Sequence, residues 1–413
     1  MNRELESEGL ADVIGGVDTH LDLHVCVALC SVTLRKLGDA SFPVTSDGYE
    51  RLLSWLESFG PVTRIGVEGT GSYGAGLSRF LSAAGVTVCE VHRPDRSSRR
   101  FKGKTDTVDA EAAARAVVSG QGIVVPKAKN GGVEAIRVLR LVYMSAMKDR
   151  TAAINQFHAV ISTAPEGIRD ELANYGRDHR IETARRWRYR AGDDQLVMIT
   201  RMALKELAGR IRVLTEQAAR IDNELTALVE LAAPALVDLP GVGIHTAAEL
   251  LMAVGDNADR VTSEAAFAHL CGAAPIPASS GKTNRHRLNY AGNRAANHAL
   301  WRIAMARLAQ RDPRTTEYVR RRTTEGLSKR EIIRCLKRYI AREVFRVMMA
   351  QPPSAPTGIE IRTLRKAAGM SQSDLAEVSN IPLMQISRIE RGLLRNGELQ
   401  RRCHGFLGAR TST

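Results

Sequence analysis

The sequence predicts a multidomain chain of the α/β plus α class: an N-terminal α/β domain, a helical and coiled-coil middle, a mostly helical third unit and a small helical tail. Three observations carry this. Short apolar runs alternate with amphipathic segments over residues 12–125. A heptad stripe runs from Leu204 to Leu228. The Pro- and Gly-containing stretch QPPSAPTG (351–358) reads as a linker before a short last domain. The expected boundaries are 12–125, 130–235, 236–349, the linker 351–358, and 359–410.

VIGGVD (13–18) is a short apolar strand ending in Asp18, and HVCVALC (24–30) is a second. A third strand is expected within 31–44. Ser46 is expected to cap a helix over 47–59, where Leu52, Leu53, Leu56 and Phe59 form the apolar face. TRIGVE (63–68) is a strand ending in Glu68. A glycine-rich turn and helix (69–85), another strand (86–92) and the basic loop RPDRSSRRFKGK (93–104) follow. TDTVDAEAAARAVVSG (105–120) is a helix. Strands first, then alternating helices and strands, give a mixed sheet covered by helices.

Leu204, Ile211, Ala218 and Leu225 recur every seven residues, as do Leu207, Leu214, Ile221 and Leu228. That a/d pattern predicts a coiled coil and hence a homodimer; a buried bundle helix would carry a weaker version of the same stripe. Upstream, RDHRIETARRWRYR (177–190) sets Trp187 and Tyr189 among arginines, either to stack bases or as ordinary packing. Arg186 and Arg188 are candidate nucleic-acid contacts there. LPGVGIHTAAELLMAVG (239–255) is a hairpin-like turn entering a helix. A weakly periodic loop (272–294), an Ala- and Leu-rich helix (295–310) and a basic helix (327–349) complete the third unit.

The chain has 413 residues and a net charge of +14, mostly from arginine. Such a surplus points to a polyanionic partner, nucleic acid first. Apolar residues make up 44%, too many for a disordered chain. The six cysteines include no C-x-x-C pair, which argues against structural zinc and a disulfide framework and for a reducing cytoplasm. The acidic start MNRELESEGL is no signal peptide, and no apolar run of about 18 residues predicts a membrane span. The expected location is cytoplasmic, with the nucleoid.

Asp18 and Glu68 end strands, and Asp106 and Asp109 share the first turn of a helix. Strand-end acids ordinarily cap helices or sit in solvent, and acids suit a helix N-terminus through its dipole. Four together would repel unless a cation neutralised them, and Mg²⁺ prefers such oxygens. Two ions about 4 Å apart can stabilise both oxygens of a displaced phosphodiester.

GVDTH (16–20), GVEGTGSYG (66–74) and KGKTDTVDAEAAARAV (102–117) resemble the N-terminal domain of IS110-type transposases. That resemblance implies a RuvC-like, RNase H-like fold and an Asp-Glu-Asp-Asp tetrad, carried here by Asp18, Glu68, Asp106 and Asp109 as catalytic metal ligands. CGAAPIPASSGKTNRHRLNYAGNRAANHALW (271–301) resembles the family's second domain, which supplies a catalytic serine just before a glycine. Ser280 fits, and the adjacent Ser279 stays open. The resemblance covers about residues 12–349. It implies a recombinase that cuts and rejoins donor and target DNA with a serine nucleophile, guided by a structured noncoding RNA. Two DNA duplexes would suit a tetramer.

A neutral serine needs activation. Lys282, Arg285, His286, Arg287 and Arg294 would hold phosphates near it. Arg99, Arg100, Lys102 and Lys104 in the basic loop have the same chemistry. Residues 320–346 carry ten Lys and Arg against three Glu. Arg330, Arg334, Lys337 and Arg338 lie close together on one helical face, suited to a nucleic-acid backbone.

The tail, IEIRTLRKAAGMSQSDLAEVSNIPLMQISRIERG (359–392), resembles a Cro/repressor-type helix-turn-helix. Asn380 stands where the turn glycine is usual, and Pro382 suits the first turn of the second helix. Gln385, Ser387 and Arg388 would face base edges, and Arg362, Arg365 and Lys366 phosphates. Two alternatives remain from sequence: a metal-dependent junction nuclease that uses water, and a non-enzymatic DNA-binding regulator.

Overall fold

The computed structural model describes residues 12–91, 105–188, 194–281, 283, 285–350, 356–392 and 397–411. They fall into two compact units. The first comprises the described residues up to Gly131 together with Val254–Thr262; the second comprises Gly132–Ala253 and the residues from Ser263 onward.

In the first unit, β1 (Val13–Thr19), β2 (Leu23–Cys30) and β3 (Lys36–Pro43) form an antiparallel meander. Helix α1 (Ser46–Glu57) leads to β4 (Val62–Glu68), and α2 (Ala75–Ala83) to β5 (Thr87–Val91). Helix α3 (Asp106–Ser119) precedes the short β6 (Ile123–Val124). The sheet order is β3-β2-β1-β4-β5-β6, with β4 parallel to both β1 and β5. This is an RNase H-like arrangement, as the resemblance implied. One refinement concerns α1: Thr45, not Ser46, is its N-cap, accepting from the Gly48 amide at 3.1 Å. Thr45 has the extended backbone that a cap requires, while Ser46 is already helical.

Both faces of the sheet are covered, so β1 is an apolar run rather than an alternating strand. Val13, Val17, Ile65 and Val67 pack with Leu52, Leu56, Leu77 and Leu81 beneath α1 and α2. Ile14, Val27, Leu29 and Cys89 pack with Ala110, Ala113, Ala114 and Val117 of α3. Glycine makes the second contact very close. A Cβ on Gly16 would lie 2.1 Å from the Ala110 carbonyl oxygen, and one on Gly66 2.6 Å from that of Ala113. Both glycines mark backbone-to-backbone approach. Thr105 caps α3 through the Val108 amide, and Gly120 ends it in the left-handed region at φ 68°.

The second unit is helical. Helix α4 (Gly132–Ser162) lies along α7 (Gln195–Ala232), with α5 (Glu166–Ala173) and α6 (Arg177–Arg186) packed at one end. Leu204, Ala208 and Ile211 share a core with Ala153, Phe157, Leu172 and Trp187. The heptad stripe therefore has an apolar partner inside its own chain: Leu204, Ile211, Ala218 and Leu225 are buried, while Leu207, Leu214 and Ile221 are half-buried. Trp187 is a packing residue. It is 8% exposed, donates from Nε1 to Glu171 at 2.9 Å, and lies under the Arg201 guanidinium. Tyr189 lies outside the described residues.

The unit continues through α8 (Pro234–Val237), α9 (Ile244–Val254) and α10 (Glu264–Leu270) to a two-stranded hairpin, β7 (Ile276–Pro277) and β8 (His286–Arg287). Helices α11 (Arg294–Ala309), α12 (Pro313–Thr324) and α13 (Lys329–Ala350) follow. The tail packs α14 (Gly358–Ala367), α15 (Gln372–Ser379), α16 (Leu383–Glu390) and α17 (Gly397–Thr411) around Ile361, Leu375, Ile386, Ile389, Cys403 and Leu407. No helix among the described residues is long and apolar enough to cross a membrane.

Candidate active site and nucleic-acid interface

Strand parity aims the first acids. In β1, Ile14 and Gly16 face α3, so Asp18, two residues on, faces the same side. In β4, Gly66 faces α3, and Glu68 follows by the same rule. Val17 pairs with Val67, so Asp18 and Glu68 leave neighbouring parallel strands one step further along. Thr19 Oγ1 donates to the Glu68 carbonyl at 2.8 Å and ties the two strand ends together. Asp106 and Asp109 stand in the first turn of α3, whose close seat on Gly16 sets their height above the sheet.

A compact trio results. His20 Nε2 lies 3.3 Å from Asp18 Oδ2 and 3.4 Å from Asp106 Oδ2, and ligand atoms of all three residues fall within 4.8 Å of one another. Burial raises the Asp18 carboxyl above its ordinary range; His20 opposes this, and the charges of Asp109 and Asp106 add to it. Asp109 is thus close enough to act on Asp18, while being only 5% exposed itself. Glu68 ends the adjacent strand but lies outside the trio. Sequence reasoning missed His20, although it stands inside the quoted motif GVDTH. The donor set fits a hard divalent cation, because carboxylate oxygens this close repel one another and favour a positive charge between them.

The serine lies in the second unit, at the tip of the β7–β8 hairpin. Ser280 bridges Thr283 through its backbone, and Gly281 turns the chain at φ 55°. The Ser279 hydroxyl is engaged across the hairpin, accepting from the Arg285 amide at 3.1 Å and donating to the Arg285 carbonyl at 3.3 Å. Ser280 is exposed, and its hydroxyl makes no hydrogen bond among the described residues. Arg285, His286 and Arg287 are exposed on the same hairpin, and Arg294 is exposed at the start of α11. Lys282, and Arg99, Arg100, Lys102 and Lys104, lie outside the described residues.

On α13, Arg330 and Arg334 are exposed. Lys337 is turned inward, its Nζ 2.9 Å from Asn297 Oδ1, and burial lowers its ammonium pKa. Arg338 approaches Glu264 to 4.0 Å, and Arg342 reaches the same carboxylate at 2.9 Å. Arg186 is exposed and paired with Glu182, and Arg188 is exposed.

In the tail, Asn380 takes the left-handed conformation at the turn, at φ 51°. Pro382 is the N-cap of α16 rather than a residue of its first turn. Arg388 is exposed, and Gln385 and Ser387 are half-buried on α16. Arg365 does not reach outward for phosphate. It is 8% exposed and makes a two-pronged bond to Glu390, with Nε at 2.6 Å and Nη2 at 2.9 Å. Burial pushes Glu390 up, but hydrogen bonds from Arg365 and Gln372 outweigh it and hold the carboxyl below its ordinary value.

Three family descriptions match the chain. The IS110-type DEDD family described as "Transposase" matches residues 15–164, "Transposase IS116/IS110/IS902 family" matches 233–320, and "Helix-turn-helix" matches 361–396. Over residues 15–164 and 233–320 the chain is similar to IS110-type transposases. A curated relative from Streptomyces coelicolor, the "Insertion element IS110 uncharacterized 43.6 kDa protein", is 32% identical over 128 residues. That stretch is 30% of this chain and 31% of the relative, so the chain spans about a third of the relative's length. Both transposase matches contain the corresponding candidate residues, the carboxylates in the first and the serine hairpin in the second. The helix-turn-helix match lies C-terminal to the two transposase matches.

Proposed function

We propose that the protein is a DNA transposase of the recombinase type, which cuts and rejoins DNA strands with Ser280 as nucleophile. The observation that carries the reading is the gathering of Asp18, Asp106 and His20, under the charge of Asp109, where two parallel strands end beneath a helix start. Asp18, Glu68, Asp106 and Asp109 would hold Mg²⁺, two ions in the fullest form. A cation held there would stabilise the negative charge that develops on phosphodiester oxygens. His20 orients the Asp18 and Asp106 carboxylates by hydrogen bonding.

Ser280 Oγ loses its proton and forms a bond to phosphorus, while one strand oxygen leaves and takes up a proton. Attack on the phosphoserine by a strand hydroxyl reverses the step and rejoins DNA. The Ser279 hydroxyl is engaged, while that of Ser280 makes no hydrogen bond among the described residues, which supports Ser280. Arg285, His286, Arg287 and Arg294 hold strand phosphates. A structured RNA guide, and a dimer or tetramer that brings two duplexes together, belong to the same reading. The tail reads duplex DNA through Gln385, Ser387 and Arg388.

The test is a denaturant-resistant protein–DNA adduct on DNA from the flanks of the gene, with Mg²⁺ and the transcript of those flanks. Ser280→Ala abolishes the adduct and Ser279→Ala is milder; Asp18→Asn, Glu68→Gln, Asp106→Asn and Asp109→Asn each abolish cleavage. Cleavage that survives Ser280→Ala with no adduct would make the protein a water-using nuclease. DNA binding without cleavage in any condition would make it a regulator.

A further inference from the structure

We propose that the cavity at the foot of the serine hairpin receives one unpaired nucleotide of the DNA strand being cut. This rests on the reading of the protein as a DNA-cutting transposase and adds how that strand is held. The cavity, about 870 Å³, is walled by Gly272–Pro275 and Leu288–Tyr290 at the two feet of the hairpin and by α11, α12 and α13. Its size falls within the range of sites for whole small molecules.

The lining has an unusual chemistry. Seven Lys and Arg side chains face one acid, Glu331. Glu331 is already taken, accepting from the Ser328 amide and hydroxyl at 2.9 and 2.6 Å. Just outside, Glu264 serves Arg338, Arg342 and Arg346, and Glu325 pairs with Arg321 and Arg322, which leaves Arg294 and Arg334 without an ion pair among the described residues. Arg338 Nη1 is buried with no hydrogen-bond partner among the described residues. Arg294 and Arg334 are exposed on the lining, where their guanidinium groups can meet an anionic oxygen.

Aromatic surface accompanies the charge. Trp301 is 40% exposed, Tyr339 52% and Tyr290 81%, all on the cavity lining. Phosphate alone needs only a cationic face. Trp301 already stacks on His298, at 5.4 Å between ring centroids, and Arg342 lies over the Tyr339 ring, so each of the two rings already has a neighbour yet remains exposed. Cationic donors together with exposed aromatic surface match a nucleotide, whose base stacks while its phosphate is held. A paired base cannot offer its face, and a duplex is too wide to enter, so the nucleotide has to be turned out of the helix. The hairpin tip lies four residues from Ile276, or roughly 13 Å at about 3.3 Å per residue. At about 3.4 Å per stacked nucleotide, a strand at Ser280 reaches the cavity within about four nucleotides.

The test uses the full-length protein and two labelled DNA duplexes of one sequence, one carrying a single bulged 2-aminopurine. The bulged duplex binds about tenfold tighter, and its 2-aminopurine fluorescence is quenched by stacking. Trp301→Ala with Tyr339→Ala removes both the preference and the quench, while the melting temperature stays within a few degrees. Trp301→Phe with Tyr339→Phe keeps both. Equal affinity for the two duplexes, or a preference that survives the alanine pair, overturns the proposal. So does a preference confined to a bulged RNA duplex, which would make RNA the occupant. An enzyme with Asp18-dependent cleavage and no bulge preference refutes the cavity alone. Absence of Asp18-dependent cleavage refutes the underlying reading.

Discussion

Gly16→Ala tests the link between sheet packing and the carboxylate cluster. The added Cβ would sit 2.1 Å from the Ala110 carbonyl oxygen, 2.3 Å from the Ala114 amide nitrogen and 2.7 Å from the Ala114 Cβ. None of these belongs to a flexible side-chain end. Ordinary contact begins near 3.4 Å, so α3 has to retreat by roughly 1.3 Å or the strand has to bend by as much. Overpacking of this kind costs about 1–3 kcal/mol, which urea unfolding reads as a lower midpoint at unchanged slope. Asp106 and Asp109 move with the helix. A displacement of about 1 Å in a catalytic group costs on the order of 100-fold in rate. Metal-dependent DNA cleavage should therefore fall about 100-fold in protein that is still folded at the assay temperature. Gly66→Ala is the graded comparison. Its nearest backbone contact is 2.6 Å, to Ala113 one turn further from the acids, so stability should drop while activity falls less. An unchanged midpoint and full cleavage in Gly16→Ala would refute the idea that this glycine sets the height of α3.

Asp18→Asn should raise the melting temperature in EDTA while abolishing cleavage, because burial and the acids around it disfavour the ionised carboxylate; a lower melting temperature contradicts this. His24 is fully buried and its pKa is lowered by burial, so the unfolded chain takes up the proton first. Stability should therefore be full above the unfolded value near 6.5 and fall as pH drops below it, and His24→Phe should flatten that slope in melting curves from pH 7.5 to 5.5. Gly209→Ala, inside α7 with nothing within 4 Å of its Cβ, should stabilise the protein by about 0.5–1 kcal/mol in urea. Arg365→Met strands the buried Glu390 carboxylate and should cost the tail about 3–5 kcal/mol; hydrogen exchange over 358–392 in the full chain reads this, and Glu390→Leu added to it should restore most of the protection.

The strands, the helices and the meeting of Asp18 with Asp106 were legible because they depend on local periodicity and on acids at element ends. What depends on partners was not. The heptad stripe of α7 records an apolar face without naming what covers it, and α4 of the same chain covers much of it. Trp187 among arginines resembles a base-stacking site until Glu171 and Arg201, distant in sequence, enclose it. Arg365 resembles a surface base until Glu390 arrives from a later helix. His20 was in view but was passed over, since its significance comes from α3 folding back above β1. The α1 cap was misplaced by one residue because Thr45 and Ser46 are both competent and only the backbone decides between them.

The return of Val254–Thr262 to the first unit has a consequence for synthesis. Asn257 holds the Ala128 amide and the Pro126 carbonyl, each at 2.9 Å, and Arg260 Nε donates to the Val125 carbonyl at 3.1 Å. The ribosome makes these anchors more than a hundred residues after Gly131. At about 5–20 residues per second, that is a delay on the order of ten seconds. During it, the sheet bearing Asp18 and Glu68 waits for its last piece while the α4–α7 segment emerges. A truncation at Gly131 would thus express the sheet and its helices without this clasp, whereas a chain nicked after Gly131 would keep it. Translation stalled before Asn257 should leave the first unit more sensitive to protease than translation stalled well beyond Thr262.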